Sequence, residues 1–139
     1  MSQTNELEIM ERIALDLEGV EESLASSFNT GAEDFNALIR PLSAAGGKRL
    51  RAQLCLLIAN AGTSVERQRI RIAEAVEMLH LATLIHDDVL DQAEIRRGEE
   101  TIHMHKGNKV AILSGDYLFA KAFQIVSEMP NMKYLQIFS

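Results

Sequence analysis

The segment His86-Asp87-Asp88-Val89-Leu90-Asp91 places three carboxylates within five residues. On a helix, Asp87 and Asp91 are four apart and share a face, about one turn from each other. Two carboxylates so placed repel unless a cation joins them. Hard divalent ions take oxygen ligands and are held by one or two carboxylates plus substrate phosphates, which suits this pair to Mg²⁺ bridging a diphosphate. Asp88 lies about 100° round the helix from Asp87, so it is given a supporting part and its direct ligation is left open. Three acids standing alone more often solvate or cap a helix end, so the flanking residues must decide.

Upstream, Ala82-Thr83-Leu84-Ile85 is an apolar approach that would hold the acids at the edge of a dry cavity. Downstream, Arg96-Arg97-Gly98 sets two permanent cations beside them, as a diphosphate site requires. A further basic group stands in Gly46-Gly47-Lys48-Arg49-Leu50-Arg51. A glycine pair running into a helix N-terminus suits an anion, with Lys48 and Arg51 three apart on one helix face, although by itself it is more often a simple turn. His80, seven residues before Asp87, is in isolation an ordinary half-buried helix residue. His103 and His105 sit two apart in a polar stretch without further ligands nearby and are left unassigned.

These groups need helices to carry them. Leu7, Met10, Ile13, Leu17, Val20, Leu24 and Phe28 recur at helical spacing and predict a first helix over about residues 5 to 28. Phe35, Leu38, Ile39 and Leu42 predict a short second helix strained or ended near Pro41. A third starts at Lys48, and the almost wholly apolar residues 52 to 59 predict burial on most sides. Thr63 and Glu66 form a capping-box pattern opening a fourth helix that runs to about Asp91. Residues 92 to 107 read as a loop with a helical turn, a fifth helix spans about 108 to 129, and a sixth begins after Pro130 with too few residues to finish, which predicts a chain cut short. No alternating strand pattern or solenoid repeat is present, so the fold class is all-α, an antiparallel helix bundle.

Composition narrows the partners. The 139 residues are 47% apolar and 24% charged, enough for one core, and the net charge of -6 opposes broad attraction to nucleic acid or anionic lipid. Any bound anion must meet a local basic cluster. The single cysteine, Cys55, lies in the apolar run Leu54-Cys55-Leu56-Leu57-Ile58 and is assigned to core packing, with no disulfide framework. The N-terminus lacks a basic start and an apolar stretch, and no run approaches about 18 apolar residues, so a cytoplasmic location is expected.

Taken together, Gly46-Gly47-Lys48-x-x-Arg51, His80, the acidic segment and Arg96-Arg97-Gly98 resemble, in order and spacing, the first half of the trans-polyprenyl diphosphate synthases, those of medium and long chain such as heptaprenyl and octaprenyl synthases. Gly107-Asn108-Lys109-Val110-Ala111-Ile112-Leu113-Ser114-Gly115-Asp116-Tyr117-Leu118 is similar to the segment that follows, and the resemblance covers about residues 42 to 123. It implies the N-terminal part of an isoprenoid synthase fold over residues 1 to 139, lacking the C-terminal half. It implies that Asp87 and Asp91, with Asp88 in support, bind Mg²⁺ gripping an allylic diphosphate such as farnesyl diphosphate, with Arg96 on the same diphosphate. Lys48, Arg51, His80 and Arg97 would hold isopentenyl diphosphate.

The implied reaction is trans-prenyl transfer in isoprenoid biosynthesis: ionisation of the allylic diphosphate, attack by the isopentenyl double bond, and loss of a proton. Small residues at Ala82 and Thr83, where short-chain members carry an aromatic, imply a medium or long product. Family members are about twice this length and carry a second aspartate-rich motif that is absent here, so little activity is expected of the chain alone. It would work as a homodimer or heterodimer, with peripheral membrane association through its lipid product. Competing readings are half of a split enzyme, a non-catalytic subunit that binds a prenyl diphosphate, and a helical terpene cyclase, which would lack the two basic blocks.

Overall fold

The computed structural model describes residues 3–44, 47–62 and 64–139. Among these, seven helices and one small hairpin follow in order: α1 (Gln3–Ser27), α2 (Glu33–Ala44), α3 (Leu50–Asn60), α4 (Glu66–Leu90), β1 (Ile95–Arg96), β2 (Glu99–Glu100), α5 (Ile102–Lys106), α6 (Asn108–Ser127) and α7 (Lys133–Phe138). The all-α expectation holds.

Helix α4 is the central element. It runs against α6, with Arg71 reaching Glu128 at one end and His86 reaching Ile112 and Asp116 at the other, so the two are antiparallel. It also runs against α3, whose Ala52 amide donates to Glu77. Helix α1 lies along the first half of α4 in the same direction, since Asp16 meets Arg69 and Ser27 meets Glu74. The core between them is Val20 and Leu24 of α1, Phe28 just after it, Leu56 of α3, Met78, Ala82 and Ile85 of α4, and Leu118, Ala122 and Ile125 of α6.

Acids buried in this core fix how the helices meet. Asp16 takes a two-pronged contact from Arg69, at 2.9 Å to Nε and 3.1 Å to Nη2, and a third bond from Asn60. Glu74 is fully buried and accepts from Ser23, Ser27 and Arg71, each at 2.6 Å. Glu77 accepts the Ala52 amide at 2.9 Å and faces Arg49 at 3.7 Å. A buried carboxylate is tolerated only where such partners replace water, so each locks one sliding register of α1 or α3 on α4.

Several expectations are corrected. Leu7 and Met10 are exposed, because Asp16 already lies beside the first turn of α4 and the turns before Ile13 overhang it. Pro41 sits inside α2, which continues to Ala44. Helix α3 is not buried on most sides: Ala52 and Leu56 face inward, while Leu50, Leu54, Leu57 and Ile58 are exposed. Cys55 is half-buried against the core, and burial pushes its thiol up from the ordinary value. Helix α4 opens at Glu66 with Val65 at the cap and no side-chain cap, which puts Glu66 at the first rather than the third position; Thr63 lies outside the described residues. Residues 92 to 107 contain the expected helical turn, α5, and also a hairpin that was not expected. Helix α6 has the length and apolar composition of a membrane span, contrary to the expectation of none, yet its buried residues seat it on α4 as a bundle helix.

Arg69→Met keeps the apolar stem but strands the Asp16 carboxylate, whose side chain is 4% exposed. The expected cost is about 3–5 kcal/mol of unfolding free energy, read as a lower urea midpoint at unchanged slope.

Candidate functional site

The acidic segment forms the last turn of α4, and Asp91 is its C-terminal cap. Asp87 and Asp91 are exposed on one face, as helical spacing requires. The two residues flanking Asp87 turn to either side and are anchored. Asp88 is buried, and its Oδ1 accepts both Nε and Nη2 of Arg96, each at 2.7 Å. That bond, ahead of any other influence, raises the Arg96 guanidinium above its ordinary value, with Asp87 and Asp91 adding to it and burial opposing.

His86, on the other side, was not singled out by sequence. Its Nε2 lies 3.1 Å from the Ile112 carbonyl and 3.4 Å from Asp116, and its ring stacks on Phe119 with centroids 5.6 Å apart. The ring occupies the space that a side chain at Gly115 would need, since a Cβ there would fall 2.2 Å from Nε2. An isolated glycine within an apolar helix is the signal that could have marked this contact.

Arg96 and Arg97 diverge because the chain makes a two-residue hairpin between them and the next strand. Arg96 pairs with Glu99, leaving Arg97 and Gly98 as the turn, and both adopt positive φ, 53° and 87°. This is a type I′ turn, which matches the twist of a hairpin and favours glycine at its second position. The hairpin base is tied down by the Ala93 amide on the Asp88 carbonyl, by Thr101 Oγ1 and His103 Nε2 on the Ala93 carbonyl, and by the Thr101 amide on the Glu94 carbonyl. His103 therefore has a structural task; His105 lies 3.6 Å from Glu100.

The turn brings Arg97 to the second basic block. A Cβ at Gly47 would meet its guanidinium at 3.9 Å, in ordinary contact. His80, half-buried on α4, is pushed below its ordinary value of 6.5 first by burial and then by Arg51, with Arg97 and Arg96 adding and Glu77 opposing. The three guanidiniums therefore act on His80 through space, and Arg97 reaches Gly47. Lys48 is exposed in the turn next to Gly47, and Gly46 lies outside the described residues. The expectation that Lys48 and Arg51 share a helix face is corrected: Arg49 takes a left-handed conformation, φ 48°, and α3 begins only at Leu50. Arg49 itself bonds Glu21 and the Ser43 carbonyl; burial works against its charge, but Glu21 and Glu77 outweigh that and raise its pKa.

An apolar cavity of about 460 Å³ opens beside Asp88, Arg96 and Arg97, floored by Leu38 and Leu42 of α2, Leu81, Leu84 and Ile85 of α4, and Ile102. Ala82 is buried, and Thr83, half-buried one turn before Asp87, bonds the His80 carbonyl through Oγ1 at 2.7 Å. Among the described residues no group of three or more His, Cys, Asp or Glu side chains is placed to hold a metal. With Asp88 committed to Arg96, Asp87 and Asp91 offer two hard oxygen donors, which fits an ion that completes its shell with water and substrate phosphate rather than a closed cage.

The structure is a helical bundle with an exposed aspartate pair on one helix face and basic side chains on the neighbouring hairpin and turn. Comparison with known proteins gives the family. Residues 32–139 match the family model for polyprenyl synthetase, and the chain belongs to that family. It is 34% identical over 131 residues to octaprenyl diphosphate synthase of Escherichia coli (strain K12), covering 94% of this chain and 41% of that one. It is 38% identical over 123 residues to heptaprenyl diphosphate synthase component 2 of Geobacillus stearothermophilus, covering 88% and 38%. The fold is similar to that of a polyprenyl synthase from Caulobacter crescentus CB15 complexed with calcium and isoprenyl diphosphate, with a TM-score of 0.84 and 37% identity over 92% of this chain and 40% of the other. The chain therefore spans about two fifths of the length of these relatives.

Two outcomes check the site's construction. Gly115→Ala should displace the His86 ring and cost about 1–3 kcal/mol, measured by thermal or urea unfolding. Burial and Arg51 lower the His80 pKa in the fold, so the unfolded chain binds the proton more readily, and this contribution to stability is fully present above pH 6.5 and is lost as pH falls from there through the lowered value. Replacing it by Gln should flatten that part of the stability–pH curve.

Proposed function

We propose that this chain supplies the diphosphate-handling half-site of a trans-polyprenyl diphosphate synthase, condensing isopentenyl diphosphate with an allylic diphosphate, farnesyl diphosphate among the candidates. The observation that carries the reading is the juxtaposition of two exposed carboxylates, Asp87 and Asp91, with the Arg51–His80–Arg97 cluster across one hairpin turn. One anion can meet the carboxylate pair through a divalent cation while a second meets the basic cluster directly. Family membership supports the same assignment, as do relatives named for octaprenyl and heptaprenyl diphosphates.

In this reading Asp87 and Asp91 hold Mg²⁺, which when bound supplies positive charge against the diphosphate of the allylic substrate. Lys48, Arg51, His80 and Arg97 hold the isopentenyl diphosphate and orient its double bond. The allylic carbon–oxygen bond breaks, the double bond attacks the resulting cation to form the new carbon–carbon bond, and a proton is lost. Apolar walls beside the acids exclude water that would otherwise capture the cation. Ala82 and Thr83 set no aromatic plug before Asp87, which favours a medium or long product.

The reading places residues 1 to 139 within one isoprenoid synthase domain that acts in the cytoplasm as a dimer. A second reading, in which the chain works with a different partner chain, is favoured by the relative named as one component of a heptaprenyl synthase.

The test is incorporation of labelled isopentenyl diphosphate with Mg²⁺ and farnesyl diphosphate, using the chain alone and mixed with the C-terminal half of a related synthase. Activity is expected in the mixture, reduced roughly 10²–10³-fold or more by Asp87→Ala. An inactive mixture in which the two pieces are shown to associate would turn the assignment toward a binding subunit.

A further inference from the structure

The two adjacent arginines do different work in this structure, and the residue that separates their tasks is Asp88. We infer that Asp88 is a positioning residue: its carboxylate grips Arg96, pins the hairpin Ile95–Glu100 against the end of α4, and so sets Arg97 beside Gly47. This deepens the diphosphate reading above and rests on it for its functional consequence.

The grip is specific. Asp88 is the one acid of its segment that is buried, at 4% exposure, and both Nε and Nη2 of Arg96 converge on its Oδ1. Charge-assisted bonds of this kind, partly shielded from water, are strong enough to set a short hairpin's position. The hairpin needs such an anchor, because its strands have only two residues each and, among the described residues, pair with no other strand. The Asp88 carbonyl also accepts the Ala93 amide at 3.0 Å, so one residue secures both the entry to the hairpin and its first strand.

From that base the geometry leaves Arg97 no choice of direction. It is the first residue of a type I′ turn, next in sequence to the gripped Arg96, and the turn carries its guanidinium to the glycine before Lys48. Asp87 and Asp91 remain exposed for a cation. Asp88 thus acts on the basic side of the site while its neighbours act on the acidic side, and Arg96 serves mainly as the strut between them.

Amide hydrogen exchange and calorimetric titration of inorganic diphosphate in the presence of Mg²⁺, on the full chain, test this with Asp88→Asn, Arg96→Gln and the double variant. Each single change should speed exchange at the Thr101 and Ala93 amides roughly 10- to 100-fold while leaving the α4–α6 core amides near their original rates. The double variant should lose no more than either single, because the pair acts as one unit. Diphosphate affinity should fall in Asp88→Asn although Arg96, Arg97, Asp87 and Asp91 are all intact. Unchanged hairpin exchange in Asp88→Asn would overturn the inference, as would an affinity lost in Arg96→Gln but kept in Asp88→Asn, which would make Arg96 itself the ligand. Hairpin opening in both variants, with no diphosphate binding by the unsubstituted chain, would uphold the grip and count against the diphosphate reading instead.

Discussion

The seating of the His86 imidazole against Gly115 lets α4 and α6 approach closely at the end where the carboxylates stand. Any side chain at position 115 would claim the volume of the ring, and without the ring the last turn of α4 would lose its only described contact with an α6 carbonyl. The rotational phase of that turn decides everything near it. With His86 directed to α6 and Asp88 to the hairpin, about 100° to either side, Asp87 is left pointing between them. The site is therefore defined by what its neighbouring residues are tied to as much as by its own charges.

Helix α4 divides its charged residues by position. Its first half spends Arg69, Glu74 and Glu77 on holding α1 and α3, all of them well buried and fully partnered. Its second half keeps Asp87 and Asp91 exposed and His80 half-buried. The same residue types are thus spent on architecture at one end and left accessible at the other, and burial distinguishes the two.

Sequence revealed the elements that periodicity and long apolar runs specify: α1, α4 and α6 fall within a few residues of where spacing put them. It also singled out Asp87 and Asp91 by spacing and Arg96 and Arg97 by charge, and the structure leaves the two acids exposed on one helix face and puts the two arginines on the adjoining hairpin. What it did not reveal depends on contacts far apart in the chain. The burial of Asp88 requires knowing that residue 96 folds back on it, and two-residue strands are too short for any alternation to register. The left-handed Arg49 makes α3 begin two residues later than expected, which the smooth apolar run after it concealed, and the same run concealed that Ala52 and Leu56 are its buried residues. His86 passed unnoticed because half of its meaning is the absence of a side chain at Gly115.

The end of α4 has one more property. A helix gathers partial negative charge at its C-terminus, where cations are welcome and anions are not. Here the last turn has no basic residue and carries Asp87 and Asp88, with Asp91 as the cap. Arg96 relieves Asp88 from outside, which leaves Asp87 and Asp91 opposed both to each other and to the dipole of the helix that bears them. This end of the helix is electrostatically frustrated by construction. A divalent ion held there by Asp87 and Asp91 would offset the mutual repulsion and the conflict with the dipole together, so part of its binding energy would be relief of tension already stored in the fold.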